Sequence, residues 1–185
     1  RMVQLVDTHL QTVNPYELPR VMKTASALLE AHRVFLRMSM PLATRLSAPT
    51  SGEEGWQVHD VALDATWSSD VFTLQTSTTC DVTTLCPCSK AISDYGAHNQ
   101  RSRVTLTVDG DGDEVYPAGI DKLIELIQGA ASCPVYPVVK RPDERTITMA
   151  AYDKPRFVED LVRELSLACR QAGLPHSVRA RNIES

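Results

Sequence analysis

An α+β fold built on antiparallel strands is what this 185-residue sequence predicts, and three observations carry that prediction. Three β-type stretches follow one another in the first half with only turn-rich connectors between them, the order of a meander rather than of βαβ units. Two amphipathic helices stand close together in the second half. They are bracketed by strands, so that this half reads strand, loop, strand, helix, helix, strand.

The first element is a helix from about Pro15 to His32. Asn14 can cap it, Pro15 suits the first helical position and Glu17 completes a capping-box-like start; Leu18, Val21, Met22, Ala25 and Leu29 then form one apolar face. The strands follow at roughly Val34 to Leu46, Trp56 to Trp67 and Val71 to Thr84, with alternation clearest in Val61, Leu63, Ala65 and Trp67. Ser47 to Gly55 and Ser68-Ser69-Asp70 carry turn chemistry, and the second is short enough for a hairpin. Leu85 to Gln100 is too irregular for a strand and too rich in Cys, Pro, Ser, His and Asn for a linker. Arg101 to Val108 alternates again, and Asp109-Gly110-Asp111-Gly112-Asp113 turns the chain. A helix over about Ala118 to Ala131 has Ile120, Leu123, Ile124, Ile127 and Ala131 on one face. A second starts near Pro155 with Asp153 as a cap, turns Phe157, Leu161, Leu165 and Ala168 inward, and stops at Gly173; Ser177 to Ile183 is the last strand.

Composition bounds the function. Hydrophobic residues make up 43% and charged residues 23%, which argues against disorder, collagen-like repeats and coiled coil. There is no internal repeat, and the length suits one domain or two small ones. No apolar run approaches the roughly 20 residues that span a bilayer and the amino end has no signal pattern, so the expected compartment is the cytoplasm. The net charge of -4 gives no global footprint for nucleic acid or an anionic membrane, so an anionic ligand must be met by a local cluster. The start at Arg1 and the stop at Ser185, just after a strand, suggest that both ends are missing. Five cysteines, an odd number without a repeated framework, read as reduced thiols, some of them available to a metal.

Chemistry concentrates in the irregular segment. Cys86-Pro87-Cys88 lacks the two-residue spacing of a zinc knuckle, and no second cysteine pair completes a four-ligand site. His98 follows Cys86 by twelve residues, and a loop of that length can fold back to place a thiolate and a neutral imidazole on one cation. A catalytic metal site wants a third protein ligand and an open position. Glu144, in the polar stretch Lys140-Arg141-Pro142-Asp143-Glu144 between the two helices, is either that ligand or part of a solvated turn. Glu159 has an adequate structural explanation as a carboxylate in the first turn of a helix. Cys133 and Cys169 read as core thiols, and His9, His32, His59 and His176 show no partner pattern.

Leu85-Cys86-Pro87-Cys88-Ser89-Lys90, then Ile92-Ser93, then Tyr95-Gly96-Ala97-His98-Asn99-Gln100-Arg101-Ser102 resembles the signature of the GTP cyclohydrolase IB family. Ala131-Ser132-Cys133, Lys140 to Glu144, Pro155 to Arg163 and Asn182-Ile183-Glu184-Ser185 fit the same family in the same order, so the likeness covers most of the chain from Thr83 onward. It implies a tunnelling fold, in which antiparallel sheets, each backed by two helices, assemble across subunits into barrels. The subunit would be bimodular, with halves at 1–83 and 84–185, forming a homo-oligomer, a tetramer, with active sites at subunit interfaces. It implies conversion of GTP and water to 7,8-dihydroneopterin triphosphate and formate, the entry to tetrahydrofolate synthesis. The resemblance carries a divalent metal (Zn, Mn or Fe(II)) on Cys86, His98 and Glu144, no organic cofactor, and a guanine anchor at Glu159. Lys90, Gln100, Arg101, Lys140 and Arg141, with Arg103, are then the candidates for binding substrate and its triphosphate. Cys88 is either a supporting thiol or a redox partner of Cys86. Members of the family carry an amino-terminal extension and a His-x-His segment after Asn-Ile-Glu-Ser, which would supply the acid/base for ring closure. Two other readings compete: a non-catalytic, metal-containing purine or pterin binder, and the nitrile reductase of queuosine synthesis, a relative that lacks the stretch containing His98, Asn99 and Gln100.

Overall fold

A computed structural model describes residues 1–112 and 114–183. The elements run α1 (Met2–His9), a 3-10 turn (Pro15–Glu17), α2 (Leu18–Leu29), β1 (Arg33–Ser47), β2 (Glu54–Ser68), β3 (Val71–Leu85), α3 (Pro87–Ile92), β4 (Asn99–Asp111), α4 (Ile120–Ala130), β5 (Cys133–Pro134), α5 (Arg141–Asp153), α6 (Val158–Gln171) and β6 (His176–Ile183). Every pairing among the described residues is antiparallel, in the order β1-β2-β3-β4-β6, and β5 pairs with the end of β3. The α+β class and the meander are as the alternation predicts. Ser69 and Asp70 both take positive φ (50° and 62°), the two-residue turn that matches the twist of a tight hairpin.

Two cores lie on one face of this sheet. In the first, Leu18 and Met22 of α2 pack on Leu63, Ala65, Trp67, Phe72 and Leu74. In the second, α4 and α6 bring Leu123, Ile127, Leu161 and Leu165 onto Cys80, Val82, Val104 and Leu106. β3 serves both cores, and the sheet runs unbroken through the expected boundary at 83/84. The opposite face carries Thr, Ser, Asp and Arg side chains. Leu165 has no exposure, so Leu165→Ala leaves a cavity under α6 and is expected to lower unfolding stability by about 2–5 kcal/mol in urea titration.

Several sequence expectations are corrected. The amino-terminal helix α1 shows no buried residue, so no apolar stripe announced it. Asn14 does cap, accepting the Tyr16 N–H at 3.1 Å, but the helix opens with a 3-10 turn and Glu17 pairs with Arg20 instead of closing a capping box. It ends at Leu29, with Glu30 left-handed at φ 54°. The irregular segment holds the short helix α3, and β4 begins at Asn99 and runs to Asp111, past the expected turn at Asp109. Gly112 turns the chain at φ 49°; Asp113, like the Glu184-Ser185 end of the family motif, lies outside the described residues. α4 starts at Ile120 and ends at Ala130, with both Ala130 and the following Ala131 buried in the core beneath it. Lys140 to Glu144 is not a loop but the start of α5, a helix that sequence periodicity missed because Ala151 alone of its apolar residues is fully buried. In α6 the cap comes from Asp160, which accepts the Phe157 N–H at 3.3 Å, not from Asp153. Cys169 takes the inward position expected for Ala168, and Phe157 is exposed. Two histidines without a sequence partner have one in the fold: His59 Nε2 lies 3.0 Å from the Thr44 hydroxyl and His176 Nε2 lies 2.8 Å from that of Ser166.

Candidate active site at the end of the central strands

β3 delivers the chain to Cys86, whose N–H donates to the His98 carbonyl at 2.8 Å and so extends the β3–β4 ladder by one pair beyond Leu85 and Asn99. The twelve-residue spacing is thereby closed at its base. Pro87 opens α3, whose Lys90 N–H returns to the Cys86 carbonyl at 3.1 Å. Ser89 holds both ends of the loop, donating its hydroxyl to the Cys86 carbonyl at 3.2 Å and accepting the His98 N–H at 2.6 Å. Cys86 is half-buried and His98 exposed.

The other family segments converge on the same strand end. The Leu85 N–H donates to the Ser132 hydroxyl at 3.1 Å, and the Leu85 carbonyl accepts the Arg156 N–H at 2.9 Å. α5 covers Leu85 with Ile147, Ala151 and Tyr152. Between the loop and α5 opens a cavity of about 530 Å³, lined by Leu85, Tyr95, Ala97, Asn99, Thr148 and Tyr152 among others. Its walls are the neighbours of all three expected metal ligands. Leu85 precedes Cys86, Ala97 and Asn99 flank His98, and the Thr148 hydroxyl donates to the Glu144 carbonyl at 2.8 Å.

The remaining candidates are spread more widely. Glu144 sits in the first turn of α5, exposed and 3.8 Å from Arg141; Lys140 provides the N-cap. Among the described residues no three His, Cys, Asp or Glu side chains are gathered where one metal ion could sit, so Cys86, His98 and Glu144 do not form a ready-made three-ligand group. Lys90 is engaged, its ammonium bonded to the Tyr152 carbonyl and 4.0 Å from the Tyr152 ring centre. Arg101 and Arg103 emerge on the uncovered face of the sheet, where Arg103 pairs with Asp60. Gln100 faces the helix-covered side with its amide oxygen buried and unpartnered. Glu159 is exposed in the first turn of α6, along a groove of about 750 Å³ that it shares with Val162, Arg163 and Ser166.

Electrostatics separates the cysteines. Burial pushes the Cys80 thiol up to about 12, with a further push from Asp81, and burial likewise raises Cys133 and Cys169. These three stay protonated core thiols at neutral pH, as the sequence reading expected for Cys133 and Cys169. Cys86 sits instead at a loop base, half-buried, with its main chain joined to that of His98. A thiolate, an imidazole and a carboxylate form a mixed donor set that suits several divalent ions, so the chemistry of the residues fits a metal, with the thiol and imidazole strands already joined.

Sequence reasoning missed Ser89, Ser132 and Asp143, which position the chain around the site. Asp143 had a signal, three residues beyond the Lys140 cap and next to a helix-opening Pro142; the two serines had none beyond the motif that contains them.

Fold and site together define an α+β protein in which the Cys86 and His98 segments are joined at the end of β3 and covered by α5. Within that class the chain belongs to the type I GTP cyclohydrolase FolE2 family, whose profile matches residues 1–185. It is 36% identical over 187 residues to the GTP cyclohydrolase FolE2 of Neisseria meningitidis serogroup A, covering 100% of this chain and 61% of the relative. The FolE2 of Thiobacillus denitrificans is 35% identical, over 100% of this chain and 68% of its own length. That of Bordetella petrii is 41% identical over 160 residues, 85% of this chain and 59% of the relative. The chain thus spans about three fifths of the Neisseria relative's length. Among the described residues no helix is long and apolar enough to cross a membrane.

Proposed function

We propose that the protein is a GTP cyclohydrolase that converts GTP and water to 7,8-dihydroneopterin triphosphate and formate, the first step of tetrahydrofolate synthesis, in the cytoplasm. Family membership supports the reaction, and the single structural observation that carries the site is the Cys86–His98 closure at the end of β3. The subunit is read as a bimodular tunnelling fold assembling into a tetramer, a reading favoured by two helix-backed cores on one antiparallel sheet.

Cys86, His98 and Glu144 would hold a divalent ion, Zn, Mn or Fe(II). Such an ion, when bound, lowers the pKa of its water from about 15.7 toward about 7 and so makes attack at guanine C8 feasible at neutral pH. Cys86 would bind it as thiolate and His98 as neutral imidazole. Glu159 accepts two N–H bonds from the guanine edge, which rejects adenine because a buried acceptor facing another acceptor is costly. Lys90, Arg101, Lys140 and Arg141 are the cations available to the triphosphate, with arginine offering a two-point contact. Lys90 must leave the Tyr152 carbonyl to do so.

The test is incubation of the full-length protein with GTP and each metal in turn, following formate and pterin fluorescence; no turnover with any of them would overturn the assignment. Glu159→Gln is expected to keep the fold and to lower kcat/KM for GTP by about 100-fold, because one acceptor oxygen becomes a donor against N–H groups. Unchanged kinetics would remove Glu159 from the base site.

A further inference from the structure

Arg156 is a polar group at this site that the chemistry above leaves unused. It lies three residues before Glu159, on the stretch that leads into α6, and its main chain is fixed to the Leu85 carbonyl beside Cys86. Its side-chain Nε is buried without a hydrogen-bond partner. Gln100, opposite Thr84 on β4 and two residues beyond His98, also holds a buried amide oxygen without a partner. Thus two unsatisfied groups flank the Cys86–His98 closure, one on each side of β3. Lys154 has its pKa lowered by burial and then by Arg156, so two cations lie close together there, with Glu164 offsetting them in part.

A guanidinium is always charged and can only donate, and a buried N–H without an acceptor is costly in a finished site. A ligand that brings an acceptor removes that cost. The position of Arg156, three residues before the base anchor, selects which acceptor. A carboxylate at Glu159 takes N1–H and the exocyclic N2–H of guanine; the next atoms around the ring are O6 and N7, both acceptors, and the arginine fork matches them. We infer that Arg156 is a specificity-determining residue that donates to guanine O6, so that Arg156 and Glu159 together read the polar edge of the base. This rests on the guanine-anchor reading of Glu159.

The experiment compares GTP with 6-thio-GTP, which keeps N1–H and N2–H but offers a weaker acceptor at position 6, using the full-length, metal-loaded protein. The wild type is expected to prefer GTP by about tenfold in kcat/KM, and Arg156→Ala to bring the ratio close to one, mainly through KM. Arg156→Lys, which keeps charge and bulk but not the fork, should reduce the ratio too, and it decides the matter if the alanine variant does not fold. Glu159→Gln should retain the thio preference while eroding the preference for GTP over inosine triphosphate, which lacks N2. Normal wild-type turnover with an unaltered GTP to 6-thio-GTP ratio in Arg156→Lys overturns this inference alone, including the case where both nucleotides weaken equally through the triphosphate. Absence of any wild-type turnover overturns the cyclohydrolase reading beneath it.

Discussion

Cys86→Ala and His98→Ala, each made in the full-length protein, are expected to lose bound divalent metal and to reduce GTP turnover by on the order of 10³-fold or more, the scale set by removing an activated water. The fold should survive. The bond that joins the two positions runs from the Cys86 N–H to the His98 carbonyl, and Ser89 grips main-chain atoms of both residues, so these main-chain contacts remain in both variants. Melting temperature should therefore stay within a few degrees of wild type while metal content by elemental analysis collapses. The double variant should be no worse than either single one, because ligands of one ion fail as a unit. Cys88→Ser, exposed on α3, should keep the metal; equal loss in Cys88→Ser would make it a ligand in place of Cys86. Full metal stoichiometry in both Cys86→Ala and His98→Ala would refute the site.

Asp143→Asn is expected to have the largest effect on stability of any single polar change, lowering the melting temperature by about 5 °C or more. The Asp143 carboxylate has no exposure. It accepts the Thr50 and Ser51 N–H groups, each at 2.8 Å, the Ser51 hydroxyl at 2.6 Å and the Lys140 N–H at 2.9 Å. It thereby pins the β1–β2 turn to the start of α5, ninety-odd residues away along the chain. Burial alone would raise its pKa, but these bonds, led by the Ser51 hydroxyl, outweigh it and hold the carboxyl well below the usual range. An amide in its place turns one oxygen into a donor that faces other donors. Because the folded pKa is depressed, the stabilisation is present above the unfolded value of about 3.9 and is lost as pH falls through the folded one. The gap between wild type and Asp143→Asn should hold from pH 7 to 5 and narrow below about pH 4; a gap that widens in acid would overturn this account. Since Glu144 is the next residue, activity should fall with it, while metal affinity of the Cys86–His98 pair should change less.

Elements with a wide apolar stripe or a clean alternation were legible from residues alone. α2, α4, α6 and all five long strands appear within a few residues of where periodicity placed them, because burial on one face is what both the period and the fold record. α5 was not legible, since it rests on the sheet end through only Ile147, Ala151 and Tyr152 and shows most of its surface to solvent. α1 buries nothing and left no trace in the pattern.

The site divides in the same way. The Cys86-Pro87-Cys88 and Gly96-Ala97-His98 motifs and their spacing announced a loop that folds back on itself, and the family to which the chain belongs, because ligand chemistry is written in residue types. Only the tertiary structure decided how the loop closes, through a main-chain bond and a serine bridge, and which cysteines are silent, through burial of Cys80, Cys133 and Cys169. It also decided that Arg101 and Arg103 point to the uncovered face while Gln100 and Arg156 stand unsatisfied on either side of the strand end. Hydrogen-bond partners separated by fifty or ninety residues leave no period in a sequence. They arise when packing brings strand ends and helix starts together, and packing is a property of the folded chain.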